Sequence, residues 1–300
     1  MAYRIRDKSN AACSVRQVAL SQIAKAAAEL DVFDDDPAEA VHQVRKRFKK
    51  IRGLIRLVRP SMGKTYKKEN RWFRDQARRI AEARDAAALV ETIDRLAKHA
   101  DKDHQQDACQ QVREVLVEQR DAKSDSKDLA ETVRQIRIEL DDAIDRVESW
   151  QLDEMGYDAI GPGLGKTYGR ARKAMDKAYK DPSSHAFHQW RKRVKYHRYH
   201  CKLLREIWQP MIMQRRDQAK RLTDLLGWDH DQVVLREHLT GPAGKSIDQA
   251  VRSTVIALSE SVSRQHRRQA KPLGRKLFAE TKDDFAQRIG AIYEVWAQVE

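Results

Sequence analysis

The feature that most restricts the fold of this chain is a helical pattern that occurs twice. In residues 41–60, VHQVRKRFKKIRGLIRLVRP, His42, Arg45, Lys49, Arg52, Arg56 and Arg59 follow one another at steps of three and four, which sets them on one side of a helix. Val41, Val44, Phe48, Ile51, Ile55 and Val58 keep the same steps one residue earlier, so an apolar stripe runs beside a cationic one. The pattern returns 146 residues on, with His188, Arg191, Lys195, Arg198, Lys202 and Arg205 beside Phe187, Trp190, Val194, His197, Cys201 and Leu204. Nine of the 18 positions from His42 to Arg59 are identical in the second copy, a density that marks the chain as two related halves, 1–155 and 156–300, of one integrated domain.

Like charges three or four residues apart cost a helix about 0.2–0.5 kcal/mol per pair, so five such steps cost each stripe about 1–2.5 kcal/mol unless something relieves them. A row of charge is ordinarily a solvated face. Solvated faces mix signs, however, and neither stripe contains a carboxylate. The stripes therefore read as anion-binding surfaces. Arginine offers forked donors to phosphate oxygens and lysine a mobile charge, and cations spaced roughly 5 Å along a helix suit a repeating polyanion. His42 and His188 head their rows; neighbouring cations would lower their pKa and a bound phosphate would raise it.

The whole chain agrees with an anionic partner: 59 Lys and Arg against 45 Asp and Glu give a net charge of +14. With 41% apolar and 35% charged residues it reads as folded, and only 12 Gly and 7 Pro favour helices almost throughout. Three cysteines, Cys13, Cys109 and Cys201, have no metal or redox spacing, which fits a reducing cytoplasm. No apolar run is long enough for a membrane span, and the first residues lack the apolar core of a signal peptide.

Taken in order, the chain predicts a helix over 11–31, a new start at Asp34–Asp36 and Pro37, the stripe helix ending before Pro60, and helices resuming near Lys64. Asp85 and its counterpart Asp231 are expected to cap helices. Further helices are expected over 103–119 and 129–150, a glycine-rich linker over 155–165, a helix from Lys166 bearing Lys166, Arg170, Lys173 and Lys177, the second stripe helix after Asp181–Pro182, and tail helices over 246–270 and 273–299. Two matching sets of helices suggest two helical bundles facing each other.

Two chemical motifs fail their own tests. GPGLGKT at 161–167 lacks the first glycine of a phosphate loop, at Ile160, and no strand precedes it. His230–Asp231 invites a metal phosphohydrolase reading, yet no further ligands fall at ligand spacing and the first-half counterpart is Arg84–Asp85. His197 sits on the apolar stripe, where a packed imidazole is expected.

In HQVRKRFKKIR, HQWRKRVKYHRY, Arg84–Asp85, Leu226–Gly227 and GLGKTYGRARKAM the chain resembles the CHAD, or conserved histidine α-helical domain, family, and the resemblance covers nearly its whole length. The resemblance implies an all-α fold of two pseudo-symmetric four-helix-bundle repeats with flanking helices. It further implies a shared basic surface that binds inorganic polyphosphate, with neither cofactor, metal nor catalysis. It maps the binding residues to His42, Arg45, Lys49, Lys50, Arg52 and Arg56, to His188, Arg191, Lys195, Arg198 and Lys202, and to Tyr168, Arg170, Arg172 and Lys173. Tyr196 stands where a second cation is usual, Gly169 where arginine is frequent, and Ala81 where glycine usually precedes the Arg-Asp pair. The expectation is a cytoplasmic binding module for long-chain polyphosphate, directed to polyphosphate granules. A nucleic-acid-binding helical protein is the first alternative and a metal-dependent polyphosphatase the second.

Overall fold

A computed structural model describes residues 3–7, 10–122 and 127–298, with the side chains of residues 11, 82–85 and 127 outside the description. The described residues form eleven α-helices, one 3-10 turn and no strand, so the fold is all-α. The helices are α1 (Ala11–Asp31), α2 (Pro37–Leu57), α3 (Thr65–Arg79), α4 (Glu82–Ala97), α5 (Asp103–Asp121), α6 (Lys127–Glu148), α7 (Gly161–Lys180), α8 (Ser184–Leu203), α9 (Gln209–Thr240), α10 (Gln249–Leu277) and α11 (Lys282–Gln298).

Both stripe helices start by the chemistry their sequences carry. Asp36 caps α2 by accepting from Glu39 N at 3.0 Å, with Pro37 in the first turn; Ser183 caps α8 by accepting from Ala186 N at 3.2 Å. Their apolar stripes are wholly inside: Val41, Val44, Phe48, Ile51, Ile55 and Val58 have no exposed surface, and Trp190, Val194 and His197 likewise. Full burial of such side chains is worth about 1.5–3 kcal/mol each. Six of them outweigh the like-charge cost of a stripe several-fold, so the helices fold with their cations on the outside. α1 packs on α2 as α7 packs on α8, and α3 lies against α2 as α9 lies against α8.

The apolar clusters do not divide at the middle of the chain. The larger one joins side chains of α1, α2, α3, α6, α7, α8 and α11 with parts of α9 and α10. The smaller one takes Ile93 and Leu96 of α4, Val112 and Leu116 of α5, Leu235 and Leu239 of α9, and Val255 and Leu258 of α10.

Three expectations are corrected. The glycine-rich stretch is not a linker up to Gly165: α7 begins at Gly161, with Pro162 in its first turn. Its glycines serve by being small. A Cβ on Gly163 would lie 1.7 Å from Leu57 O, and one on Gly165 3.2 Å from Lys282 O, so α2 and α11 approach the α7 backbone directly. Neither aspartate stands at the cap position of a helix. α4 starts with Ala81 at its cap and no side-chain bond there, and Asp231 lies in the interior of the 32-residue α9. The side chains of Arg84 and Asp85 lie outside the described residues. Lastly, α10 continues through Pro272 to Leu277, with the break at Phe278–Thr281. The Tyr179 hydroxyl donates to Arg267 O at 2.7 Å just before the proline, and Gly274 lies against the Trp190 ring.

Gly163→Ala is expected to cost at least about 2 kcal/mol, by overpacking against a backbone that cannot swing aside. Chemical denaturation measures it, and a loss below about 0.5 kcal/mol would show that α2 and α7 are not in such close contact.

Candidate functional site

The two stripe helices touch at matching positions. Gly53 and Tyr199, 146 residues apart in sequence, face each other: a Cβ on Gly53 would sit 2.9 Å from Tyr199 Cδ2. Lys49 and Lys195, separated by the same offset, are also neighbours, because Lys49 heads the charges that depress Lys195. His200 brings its Nε2 to 3.0 Å from Gly53 O, and the Tyr3 hydroxyl donates to Lys50 O at 2.8 Å, locking the N-terminal segment over the same crossing. Further out the correspondence continues. Arg45 donates to Ala81 O at 3.0 Å, and Arg191 lies where a Cβ on Gly227 would meet its Nη2 at 3.3 Å.

On one side of the crossing, Arg52 and Arg56 of α2 share their surroundings with Lys192, Arg193 and Tyr196 of α8, and Arg170 of α7 joins them. On the other side, Arg198 and Lys202 of α8 share theirs with Lys46 and Lys50 of α2. Under the 146-residue offset Arg52, Arg56, Lys192 and Tyr196 correspond to Arg198, Lys202, Lys46 and Lys50, and Arg193 corresponds to Arg47. Arg59 and Lys166 extend the first cluster toward the start of α7.

The charges are crowded and poorly neutralised. Burial pushes Lys195 down to about 7, helped by Lys49, Arg191, Arg198 and Arg45. Lys50 is also pushed down to about 7, by burial and then by Arg47, Lys202, Lys46 and Lys25. Burial likewise lowers Arg52, Lys192, Arg193 and Lys202 before their cationic neighbours add to it. Among the described residues, Arg52, Arg56, Arg191, Lys192, Arg193, Lys195, Arg198 and Lys202 form no ion pair, while Glu29 lies 2.9 Å from Arg47 and Glu206 3.0 Å from Arg205 at the end of the second row. Arg56 instead lies over the Tyr196 ring at 4.2 Å and bonds the Tyr66 hydroxyl, while Arg59 covers Tyr66 at 4.8 Å.

A model of the CHAD domain matches residues 17–240. The chain belongs to the CHAD family. The family is linked to polyphosphate binding in general. Among curated proteins no match to the chain is found. The matched stretch of the CHAD domain ends with α9, yet Leu277 and Phe278 at the end of α10 and Phe285, Ile289 and Tyr293 of α11 belong to its main core.

The residues mapped from the family fall into three groups. Arg45, Lys49, Lys50, Arg52, Arg56, Arg191, Lys195, Arg198 and Lys202 are brought together at the α2–α8 crossing, and Arg170 reaches it from α7. His188 stands at the edge, its ring 4.1 Å from that of His230, with burial and then Lys192 and Arg191 pushing it down to about 4. His230 falls to about 3, so both rings are neutral at pH 7, and the buried His188 Nδ1 has no partner. His42 is half-buried on α2.

Tyr168, Arg172 and Lys173 lie elsewhere. Tyr168 has no exposed surface: it stacks on Phe285 at 4.3 Å, and its hydroxyl accepts from Glu280 N at 3.1 Å. Arg172 donates to Glu280 O at 2.8 Å. Lys173 lines a groove between α7 and α11 with Lys166, Arg170 and Lys282. Gly169 faces α11 too, since a Cβ there would meet Lys282 Cβ at 3.1 Å, so an arginine at this position would have to displace Lys282.

Sequence reasoning passed over Lys46, Arg47, Lys192 and Arg193, which flank the stripes and close the crossing from each side. Their signal was present, as the Lys-Arg pair repeated at the 146-residue offset. His230 is set apart from Asp231: it meets His188, whereas Asp231 lines a cavity beside Trp228 and His266. Among the described residues no three His, Cys, Asp or Glu side chains are grouped to hold a metal ion, and no helix is long and apolar enough to cross a membrane.

A lysine depressed to about 7 from an unfolded value of 10.5 costs stability below pH 7, and the cost disappears as pH rises toward 10.5, because the unfolded chain binds the extra proton throughout that window. Lys195→Met is therefore expected to stabilise the domain by on the order of 1 kcal/mol at pH 6 and by much less at pH 10. Urea denaturation at the two pH values measures this, and an equal effect at both would contradict a depressed Lys195.

Proposed function

We propose that this CHAD domain is a binding module for long-chain inorganic polyphosphate, held along the α2–α8 crossing, and that it acts as a non-enzymatic adaptor to polyphosphate granules in the cytoplasm. The observation that carries the reading is the meeting of the two cationic rows at one crossing where, among the described residues, Arg52, Arg56, Arg191, Lys195, Arg198 and Lys202 form no ion pair. A polyanion would supply countercharge, restore the protonated forms of Lys50 and Lys195, and give the unpartnered His188 Nδ1 an oxyanion to bond. Affinity built from many weak contacts grows with chain length and falls with salt.

The aromatic rings argue for phosphate rather than bases. Readers of single strands stack bases on free aromatic faces. At this crossing Tyr66 and Tyr196 are already covered by Arg56 and Arg59, and Tyr199 is packed on Gly53. A nucleic acid would find charge here but no stacking platform.

The triple substitution Arg191→Glu, Lys195→Glu, Arg198→Glu is expected to weaken retention on long-chain polyphosphate by on the order of a hundredfold or more while the far-ultraviolet circular dichroism stays unchanged. Unaltered retention would refute the site. DNA competing equally with polyphosphate at matched charge and salt would favour the nucleic-acid alternative.

A further inference from the structure

The 146-residue offset relates the two flanks of the crossing, but they differ in what neutralises them. On one flank Lys202 and Lys50 have Arg205, Arg216 and Arg47 among their charged neighbours, and each of these arginines holds a carboxylate. Arg205 pairs with Glu206 at 3.0 Å, Arg216 with Asp217 at 2.9 Å, and Arg47 with Glu29 at 2.9 Å. Arg4 brings the N-terminal segment onto the same Glu206. On the other flank the corresponding cations are Arg59 for Arg205 and Arg193 for Arg47, and neither forms an ion pair among the described residues.

The unpaired flank also continues. Arg170 of α7 neighbours Arg56, Arg59 and Arg193, and Lys166, one turn earlier, is held below its usual value chiefly by Arg59. Lys166, Arg170 and Lys173 are exposed and follow steps of four and three, so they share one face of α7 over about 10 Å. The positions 146 residues earlier, on α1, are Leu20, Ala24 and Ala27, so the paired flank has no such row. This face of α7 borders a groove of about 740 Å³ against the start of α11, where Lys282 adds a fourth cation. Gly165 and Gly169 let α11 come this close, since a Cβ on the first would lie 3.2 Å from Lys282 O and one on the second 3.1 Å from Lys282 Cβ. Asp158 and Asp283 also line the groove, the second 3.5 Å from Lys282, which leaves four cations to two carboxylates.

We propose that polyphosphate bound at the crossing leaves it by the unpaired flank alone and runs along α7 into the α7–α11 groove, with Lys166 and Lys282 as its outer contacts. The inference rests on the polyphosphate reading and gives the bound polymer one path. On the paired flank, Glu29, Glu206 and Asp217 already hold the cations and would repel a further run of phosphates. On the unpaired flank each successive cation is free to take one. The far end of this path comes from α11, a helix beyond the stretch that the CHAD model matches. An added contact raises affinity only for a polymer long enough to reach it. Tripolyphosphate, too short to span the crossing and Lys282 together, gains nothing from the groove.

The test is isothermal titration of the full chain with long-chain polyphosphate and with tripolyphosphate, at about 0.15 M salt so that distant charges are screened. The double substitution Lys166→Glu, Lys282→Glu, at two exposed positions, is expected to weaken long-chain binding at least tenfold and tripolyphosphate binding less than twofold. Lys98→Glu with Lys245→Glu, also exposed, makes the same change of charge away from the groove and is expected to change neither affinity more than threefold. An unchanged long-chain affinity in the groove variant, an equal loss in the control, or a loss shared by tripolyphosphate would overturn the exit path, while the crossing would stand if the triple substitution at Arg191, Lys195 and Arg198 still abolished retention. Unaltered binding by that triple variant would instead overturn the polyphosphate reading, and the path with it.

Discussion

Everything in this fold depends on packing two like-charged helices against each other. α2 and α8 each carry a cationic stripe, and their crossing brings Lys49 beside Lys195 and Gly53 beside Tyr199. Coulomb repulsion at such a contact opposes assembly. It is overcome because each helix also carries an apolar stripe with essentially no exposed surface, whose burial is worth several times the repulsion within a stripe. Gly53 matters at this one place for its size, since any side chain there would push Tyr199, and the cations it carries past, away from the crossing.

The resulting electrostatics differ from those of a basic surface patch. On an open surface, cations keep their ordinary pKa and gather mobile counterions. Here burial acts first and neighbours second, so Lys50 and Lys195 sit near 7 while the arginines stay charged. The protein therefore holds a group of arginines as fixed donors and two lysines that gain charge most readily when an anion arrives. His188 and His230 are neutral in the free protein, kept so by burial and by Arg191 and Lys192. An approaching phosphate opposes the effect of those two cations.

Much of this was legible in the sequence, because a period of 3.6 residues and an exact offset are one-dimensional signals. They located α2 and α8, their buried faces and the correspondence of their cations. What stayed hidden depends on what a residue touches. Glycines at 161, 163 and 165 look like a linker, since composition cannot tell glycine used for backbone freedom from glycine used for closeness; the Leu57 carbonyl against Gly163 decides the matter. Tyr168 sits in a basic segment and reads as a surface residue, yet it faces Phe285 and Phe278 of the tail, whose position no local pattern gives. Pro272 reads as a stop, but the helix is carried past it by core contacts of Gly274 and Leu277. Even the division into halves holds for sequence and not for packing, because α4 and α5 share a core with α9 and α10.

The most direct test of a cationic crossing under repulsion is the salt dependence of unfolding, followed calorimetrically from low to moderate sodium chloride with and without saturating long-chain polyphosphate. Screening should stabilise the free domain, raising its Tm as salt rises, and this gain should vanish or reverse once the polymer is bound. A Tm that is indifferent to salt in the free protein, or that falls with it, would contradict a crossing under repulsion.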